Sequence, residues 1–189
     1  VRDYERFLMY LYASNSKKVV HVSNITQPSR KGPLLSDVLE VERGSPLVEI
    51  GAYCLMPNHF HLLLWQIEEG GIPLFMQKLS TGYTMYFNKK RDRAGALLQG
   101  TYKARHVQTD QYFGRVLNYI HANPAELYEP RWKVGLIQNE PVLRQSLADY
   151  RFSSLPEYLG NKRLESALID SESVLGILEK RPTLDAMLE

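Results

Sequence analysis

Cysteine is almost missing from this chain. Cys54 stands alone among 189 residues, which excludes an internal disulfide or a thiolate metal cage and agrees with a reducing compartment. No apolar run approaches the roughly 18 residues a membrane span needs. The densest, Leu62–Trp65, is far shorter, and the N-terminus carries no basic region followed by an apolar core of signal type. Internal repeats and low-complexity tracts are also lacking. Together these absences predict a soluble, cytoplasmic protein with no membrane partner. With 44% hydrophobic and 23% charged residues, the composition is that of an ordinary globular domain. A chain of 189 residues suits one such domain with a short annex. The first residue is Val1, so a longer reading frame with a further N-terminal element is expected.

Net charge is only +2, but it is unevenly spread. Residues 1–77 hold 7 basic and 8 acidic side chains, and residues 126–189 hold 8 and 11. Between them, Lys78, Lys89, Lys90, Arg91, Arg93, Lys103 and Arg105 face Asp92 alone over residues 78–105. A basic middle on a near-neutral protein is the asymmetry that binding to a phosphate backbone produces. A solvated helix end followed by a loop would read the same way.

Asp3, as an N-cap, followed by Tyr4, Phe7, Leu8 and Leu11 predicts a helix over about 3–14. Val19–Val22 reads as a short strand, 24–33 as a loop, and Leu34–Val41 as a short helix. Leu47–Met56 and His59–Trp65, parted by Pro57-Asn58, form a hairpin signal. Helical spacing runs from Ile72 to about Lys90, Leu97–His106 reads as a strand, and a third helix starts near Asp110 and stops at Pro124. Beyond Tyr128 short helices are expected, with Leu164, Leu168, Leu175 and Leu178 on one apolar side. Such an order predicts an α+β domain with helices packed on an antiparallel sheet.

Two places in this frame can carry chemistry. Alternate residues of a strand share a face, so His59 and His61 project together while Phe60 points into packing. Two neutral imidazoles on a rigid strand are half of a divalent-metal site. One core histidine and one exposed histidine is the blander reading, and for an isolated His-x-His it outweighs the metal. In the third helix, Phe113, Val116, Leu117 and Ile120 form the apolar stripe, with Tyr119 and Asn123 a turn apart on one flank and His121 on the other. A phenol and an amide so placed could supply a nucleophile and an oxygen ligand. Among 12 tyrosines, periodicity alone marks Tyr119 first as a packing residue.

The segment Tyr53-Cys54-Leu55-Met56-Pro57-Asn58-His59-Phe60-His61-Leu62-Leu63 resembles the HUH motif of single-tyrosine transposases, in particular the REP-associated tyrosine transposases of the IS200-like group. Three further blocks resemble that family in the same order: Leu98–Ala104, Asn118–Pro124, and Tyr150–Ser154 with Tyr158-Leu159-Gly160. The resemblance covers most of residues 1–160. It implies a ferredoxin-like α+β domain of HUH endonuclease type over 1–160, followed by a helical tail over 161–189. His59 and His61 would bind Mg²⁺ or Mn²⁺, Asn123 would be the third ligand, and Tyr119 would attack a DNA phosphate. Two departures stand out: the family's opening strand is missing ahead of the first helix, and residues 24–46 look like an insertion.

The implied activity is metal-dependent cleavage and transfer of single-stranded DNA through a 5′-phosphotyrosine link, in a monomer or homodimer that meets DNA in a prokaryotic nucleoid. Lys89, Lys90, Arg91, Arg93, Lys103 and Arg105 would hold the backbone of single-stranded or hairpin DNA, with Tyr102, Tyr83 or Tyr86 stacking on unpaired bases. Two other readings remain open. One is an inactive or domesticated copy that grips DNA hairpins, and the other is a metal-dependent phosphoesterase in which activated water replaces Tyr119.

Overall fold

The computed structural model describes residues 1–25, 32–178 and 181–188. Along the chain run α1 (Arg2–Ser14), α2 (Leu35–Leu39), β1 (Val48–Leu55), β2 (Phe60–Gln66), α3 (Gly71–Arg91), α4 (Asp110–Ala122), α5 (Ala125–Tyr128), α6 (Glu140–Ala148), α7 (Leu155–Tyr158), α8 (Ser171–Ile177) and α9 (Leu184–Leu188). β1 and β2 form a two-stranded antiparallel sheet, and the fold class is α+β. The chain divides into two compact units, Val1–Glu49 with Trp65–Arg105 and Ile50–Leu64 with His106–Glu189.

In the first unit α1 buries Phe7, Leu8 and Leu11, the residues that gave it its helical spacing. The N-cap is Val1 and makes no side-chain cap. Asp3, expected to cap, instead accepts hydrogen bonds from the Tyr86 hydroxyl at 2.9 Å and the Lys90 ammonium at 2.5 Å. Those partners lie on α3, and a helix–helix tie has displaced a local cap. The two helices approach closely at Gly82, where a Cβ would come within 2.7 Å of the Tyr10 ring. At the other end of α1, Asn15 fastens the helix to the start of β1. Its side-chain oxygen accepts the Leu47 and Val48 N–H groups at 2.9 and 3.0 Å, and its amide donates to the Val48 carbonyl at 2.8 Å.

Two expected strands do not form. Val19–Val22 is irregular and ends in a 3₁₀ turn over Val22–Asn24, with Val22 buried and Val19 69% exposed. A single buried side chain, packed among Met9, Ala13 and Val38, satisfies the run without an edge to pair with. Residues 97–106 carry no ladder hydrogen bonds either. Most of them are exposed, and Gly95 and Gly100 sit at φ +88° and +84°, so the apolar content that would bury a strand face is lacking. The predicted loop at 24–33, and the possible insertion at 24–46 around it, fall partly on residues 26–31, outside the described residues.

In the second unit the Ile50–Leu55 part of β1 is buried throughout. Its free edge is closed by the Tyr150–Ser154 block rather than by a full strand: Leu55 N–H donates to the Phe152 carbonyl at 2.9 Å, and Ser154 N–H to the Tyr53 carbonyl at 3.0 Å. The Tyr158 hydroxyl donates to the Gly51 carbonyl at 2.5 Å. Gly51 also admits α8, since a Cβ there would lie 2.8 Å from Val174. Helix α4 starts at Asp110, as expected, and is capped by Thr109, whose hydroxyl accepts the Tyr112 N–H at 3.2 Å. It ends at Ala122, ahead of Asn123-Pro124, as the proline requires. Ala122, Ala125, Leu143, Leu147, Leu155 and Met187 form the second core. Past residue 160 the described chain is a 3₁₀ turn over Leu164–Leu168 followed by α8 and α9. Val174 and Met187 are buried there, so these helices pack on the unit.

Candidate active site

The hairpin turn Pro57-Asn58 is closed by the Met56 N–H donating to the His59 carbonyl at 2.8 Å. Strand alternation then sets His59 and His61 side by side, their rings 4.9 Å apart and nearly perpendicular at 88°. His59 is exposed and His61 half-buried. The His59 Nδ1–H donates to the Asn58 side-chain oxygen at 2.7 Å. That bond fixes the tautomer and leaves Nε2 as the lone-pair nitrogen, the arrangement of a ligand oriented from behind. Among the described residues, the buried Nε2 of His61 has no hydrogen-bond partner. Burial first, then the charges of His59 and Lys133, holds the His61 imidazole below its ordinary value, against the nearby Asn123 side chain, which works the other way. His61 is therefore neutral at pH 7, as a metal ligand must be.

Helix α4 brings the other two groups to these rings. Tyr119 lies edge-on to His61 with ring centroids 5.5 Å apart, and it is 48% exposed. Asn123 is buried, and its amide donates to the Tyr119 carbonyl at 2.6 Å, leaving the side-chain oxygen as its acceptor. Thus His59, His61, Tyr119 and Asn123 converge within one compact unit. Among the described residues no three His, Cys, Asp or Glu side chains converge on a metal position, so a third protein ligand beside the histidines would be an amide. Two imidazoles and a neutral oxygen suit a divalent ion, and the orphaned His61 nitrogen fits such a donor set. The Cys54 thiol, pushed up to about 12 by burial, is inert.

Two features escape a reading of the sequence. Lys133 pairs with Glu126 at 2.9 Å, and this ion pair borders the histidines: the Lys133 charge is felt at His61 and the His59 charge at Glu126. Neither spacing nor periodicity singles these residues out. The second feature lies behind the helix, where His121 is fully buried and its Nε2 meets the Ser154 hydroxyl at 2.8 Å. That hydroxyl also accepts the Tyr53 N–H at 3.0 Å and donates to the Tyr53 carbonyl at 3.3 Å. With its one hydrogen directed to Tyr53, the oxygen accepts from both nitrogens, which assigns the Nε2–H tautomer to His121. One imidazole on the far flank of α4 therefore ties the helix of Tyr119 to β1, the partner strand of the histidines.

The basic residues singled out by charge belong to the other unit. Lys89, Lys90 and Arg91 form the last turn of α3, where cations favour the helix dipole. Lys90 and Arg91 lie against Asp3 at 2.5 and 3.5 Å. The Arg93 guanidinium donates to the Ala96 carbonyl at 3.2 Å. Tyr102 is 42% exposed, and it lies with Lys103 and Arg105 on the irregular segment after α3. The Tyr83 ring packs edge-on against Phe7 at 4.9 Å, and Tyr86 holds Asp3, so both serve the contact between α1 and α3.

Residues 35–123, from α2 through both histidines and Tyr119 to Asn123, match the family described as transposase IS200-like. Over this segment the chain is similar to the IS200-like transposase family. Comparison with curated proteins and with solved structures returned no match. That family acts in DNA transposition, and its members are generally metal-dependent. Among the described residues, no helix of the chain is long and apolar enough to cross a membrane.

Proposed function

We propose that the chain is an HUH-type tyrosine transposase that cuts and transfers single-stranded DNA through a covalent 5′-phosphotyrosine link. The observation that carries this reading is the Tyr119 ring lying 5.5 Å, centroid to centroid, from that of His61, whose neighbour His59 likewise leaves its Nε2 for a ligand. A divalent ion such as Mg²⁺ or Mn²⁺, held by His59, His61 and Asn123, would supply Lewis-acid polarisation of a non-bridging phosphate oxygen. The Tyr119 phenol oxygen bonds to phosphorus and releases its proton, the P–O3′ bond breaks, and the departing oxygen becomes a free 3′-OH. The phosphodiester energy is kept in the phosphotyrosine for a later joining step. Exposure of Tyr119 gives DNA access to the nucleophile. Asn123, by bonding the Tyr119 carbonyl, keeps the amide and the phenol on one face of α4. The lysines and arginines at 89–105 supply the backbone contacts expected for a single-stranded or hairpin substrate.

The test is incubation with end-labelled single-stranded DNA carrying candidate hairpins, with and without Mn²⁺, followed by a denaturing gel. A metal-dependent protein–DNA adduct lost in Tyr119→Phe and in His59→Ala is the expected result. Cleavage without an adduct would replace the tyrosine by activated water, and tight binding with neither would make the chain a DNA-hairpin-binding protein.

A further inference from the structure

The Tyr150–Ser154 block gives Ser154 to the tie behind α4, which leaves Tyr150, Arg151 and Phe152 without a part in the proposed chemistry. These three line a surface cleft of about 520 Å³ together with Tyr128, Gln145 and Asp149, a volume within the range of small-ligand sites. The Tyr150 and Phe152 rings meet at 81° with centroids 6.1 Å apart, and the Arg151 guanidinium lies 5.1 Å above the Phe152 ring. Tyr150 is fixed in place by its hydroxyl, which donates to the Leu55 carbonyl at 2.6 Å. Tyr128, at the end of α5, is 46% exposed. The polar part of the lining is an amide–carboxylate pair, the Gln145 amide donating to Asp149 at 2.8 Å.

Flat rings and a guanidinium favour a planar aromatic ligand, while an amide beside a carboxylate offers hydrogen bonds to its edge. The Asp149 carboxylate offsets the Arg151 charge in the same lining and accepts N–H groups, and the Arg151 guanidinium is stacked on Phe152, so the cleft suits the flat base of a nucleotide. The cleft also lies in the unit that holds the candidate active site. Tyr128 is five residues beyond Asn123, and the Tyr150 hydroxyl holds Leu55, four residues before His59.

We propose that this cleft is a subsite for one unpaired nucleobase of the DNA strand that flanks the scissile phosphate, stacked between Tyr128 and the Tyr150–Phe152 corner. The inference rests on the single-stranded DNA reading above and adds where the protein itself grips a base.

The probe is a set of single-stranded oligonucleotides with 5-iododeoxyuridine at successive positions, photo-crosslinked to the full chain without metal, so that binding is read apart from cleavage. The crosslinked peptide is expected to contain Tyr128 or residues 150–152 for one position of the label. In fluorescence anisotropy Tyr128→Ala should weaken binding of the same strand about tenfold, the scale of one lost base–aromatic stack, and Tyr128→Phe should restore it. Thermal melting of both variants shows that they fold. Crosslinks confined to other segments, or wild-type affinity in Tyr128→Ala, would overturn the proposal. A crosslink at the cleft in a protein that forms no adduct with metal would retain the subsite and refute the transesterase. Normal adduct formation with no crosslink there would do the reverse.

Discussion

Stability should depend on pH through His121, in a way that one substitution removes. Burial pushes the His121 imidazole down to about 3 from its ordinary 6.5. In the unfolded chain the same side chain takes up a proton as pH falls through 6.5, whereas in the folded state it stays neutral almost to pH 3. The unfolded state therefore binds more protons throughout that window, and stability drains as pH falls, by up to about 1.4 kcal/mol per unit. Above 6.5 the contribution is complete. Integrated between pH 7 and pH 5, the loss from this one group is about 2 kcal/mol. His121→Gln retains an N–H for the Ser154 hydroxyl but does not titrate. Urea unfolding at the two pH values should show the wild type losing about 2 kcal/mol more than the variant, a midpoint difference of about 1 M. Other titrating groups cancel in that comparison. Equal losses in the two proteins would show that His121 is accessible to protons in the folded state, and the buried tie from α4 to β1 would fall with it.

Asn58→Ala removes the acceptor that orients His59, and Mn²⁺ affinity measured by calorimetry should drop about 10- to 100-fold with the melting temperature little changed. Tyr119→Phe should reduce adduct formation by about 10⁴-fold or more while leaving urea unfolding as in the wild type, because the side chain is 48% exposed. Asn15→Ala leaves the Leu47 and Val48 N–H groups and the Val48 carbonyl without their side-chain partner. Chemical denaturation should register a loss of about 2–4 kcal/mol.

Much of the site is legible in the sequence because it depends on periodicity. Strand alternation puts His59 beside His61, and a spacing of four on a helix puts Asn123 a turn from Tyr119; both hold whatever the rest of the chain does. The hairpin at Pro57-Asn58 and the stop at Pro124 are likewise local. What escapes is set by distant partners. Asp3 has the composition of a cap, yet α3 supplies Tyr86 and Lys90, and those bonds win. Val19–Val22 and 97–106 contain strand-forming residues, but a strand needs an edge to pair with, and none meets them. His121 falls on the flank opposite Tyr119, as periodicity requires. Its partner Ser154 is 33 residues away and cannot be read from either segment. The Lys133–Glu126 pair beside the histidines is invisible for the same reason: only folding brings its charge to the site.

The most direct measurement of the central claim is the identity of the residue bonded to DNA. Labelled single-stranded DNA is cut in the presence of Mn²⁺, the product is digested with protease and nuclease, and the nucleotide-bearing peptide is sequenced by mass spectrometry. A 5′-phosphotyrosine at Tyr119 is the predicted result. A nucleotide on any other residue, or cut strands with no peptide attached, would contradict the assignment of Tyr119 as the nucleophile.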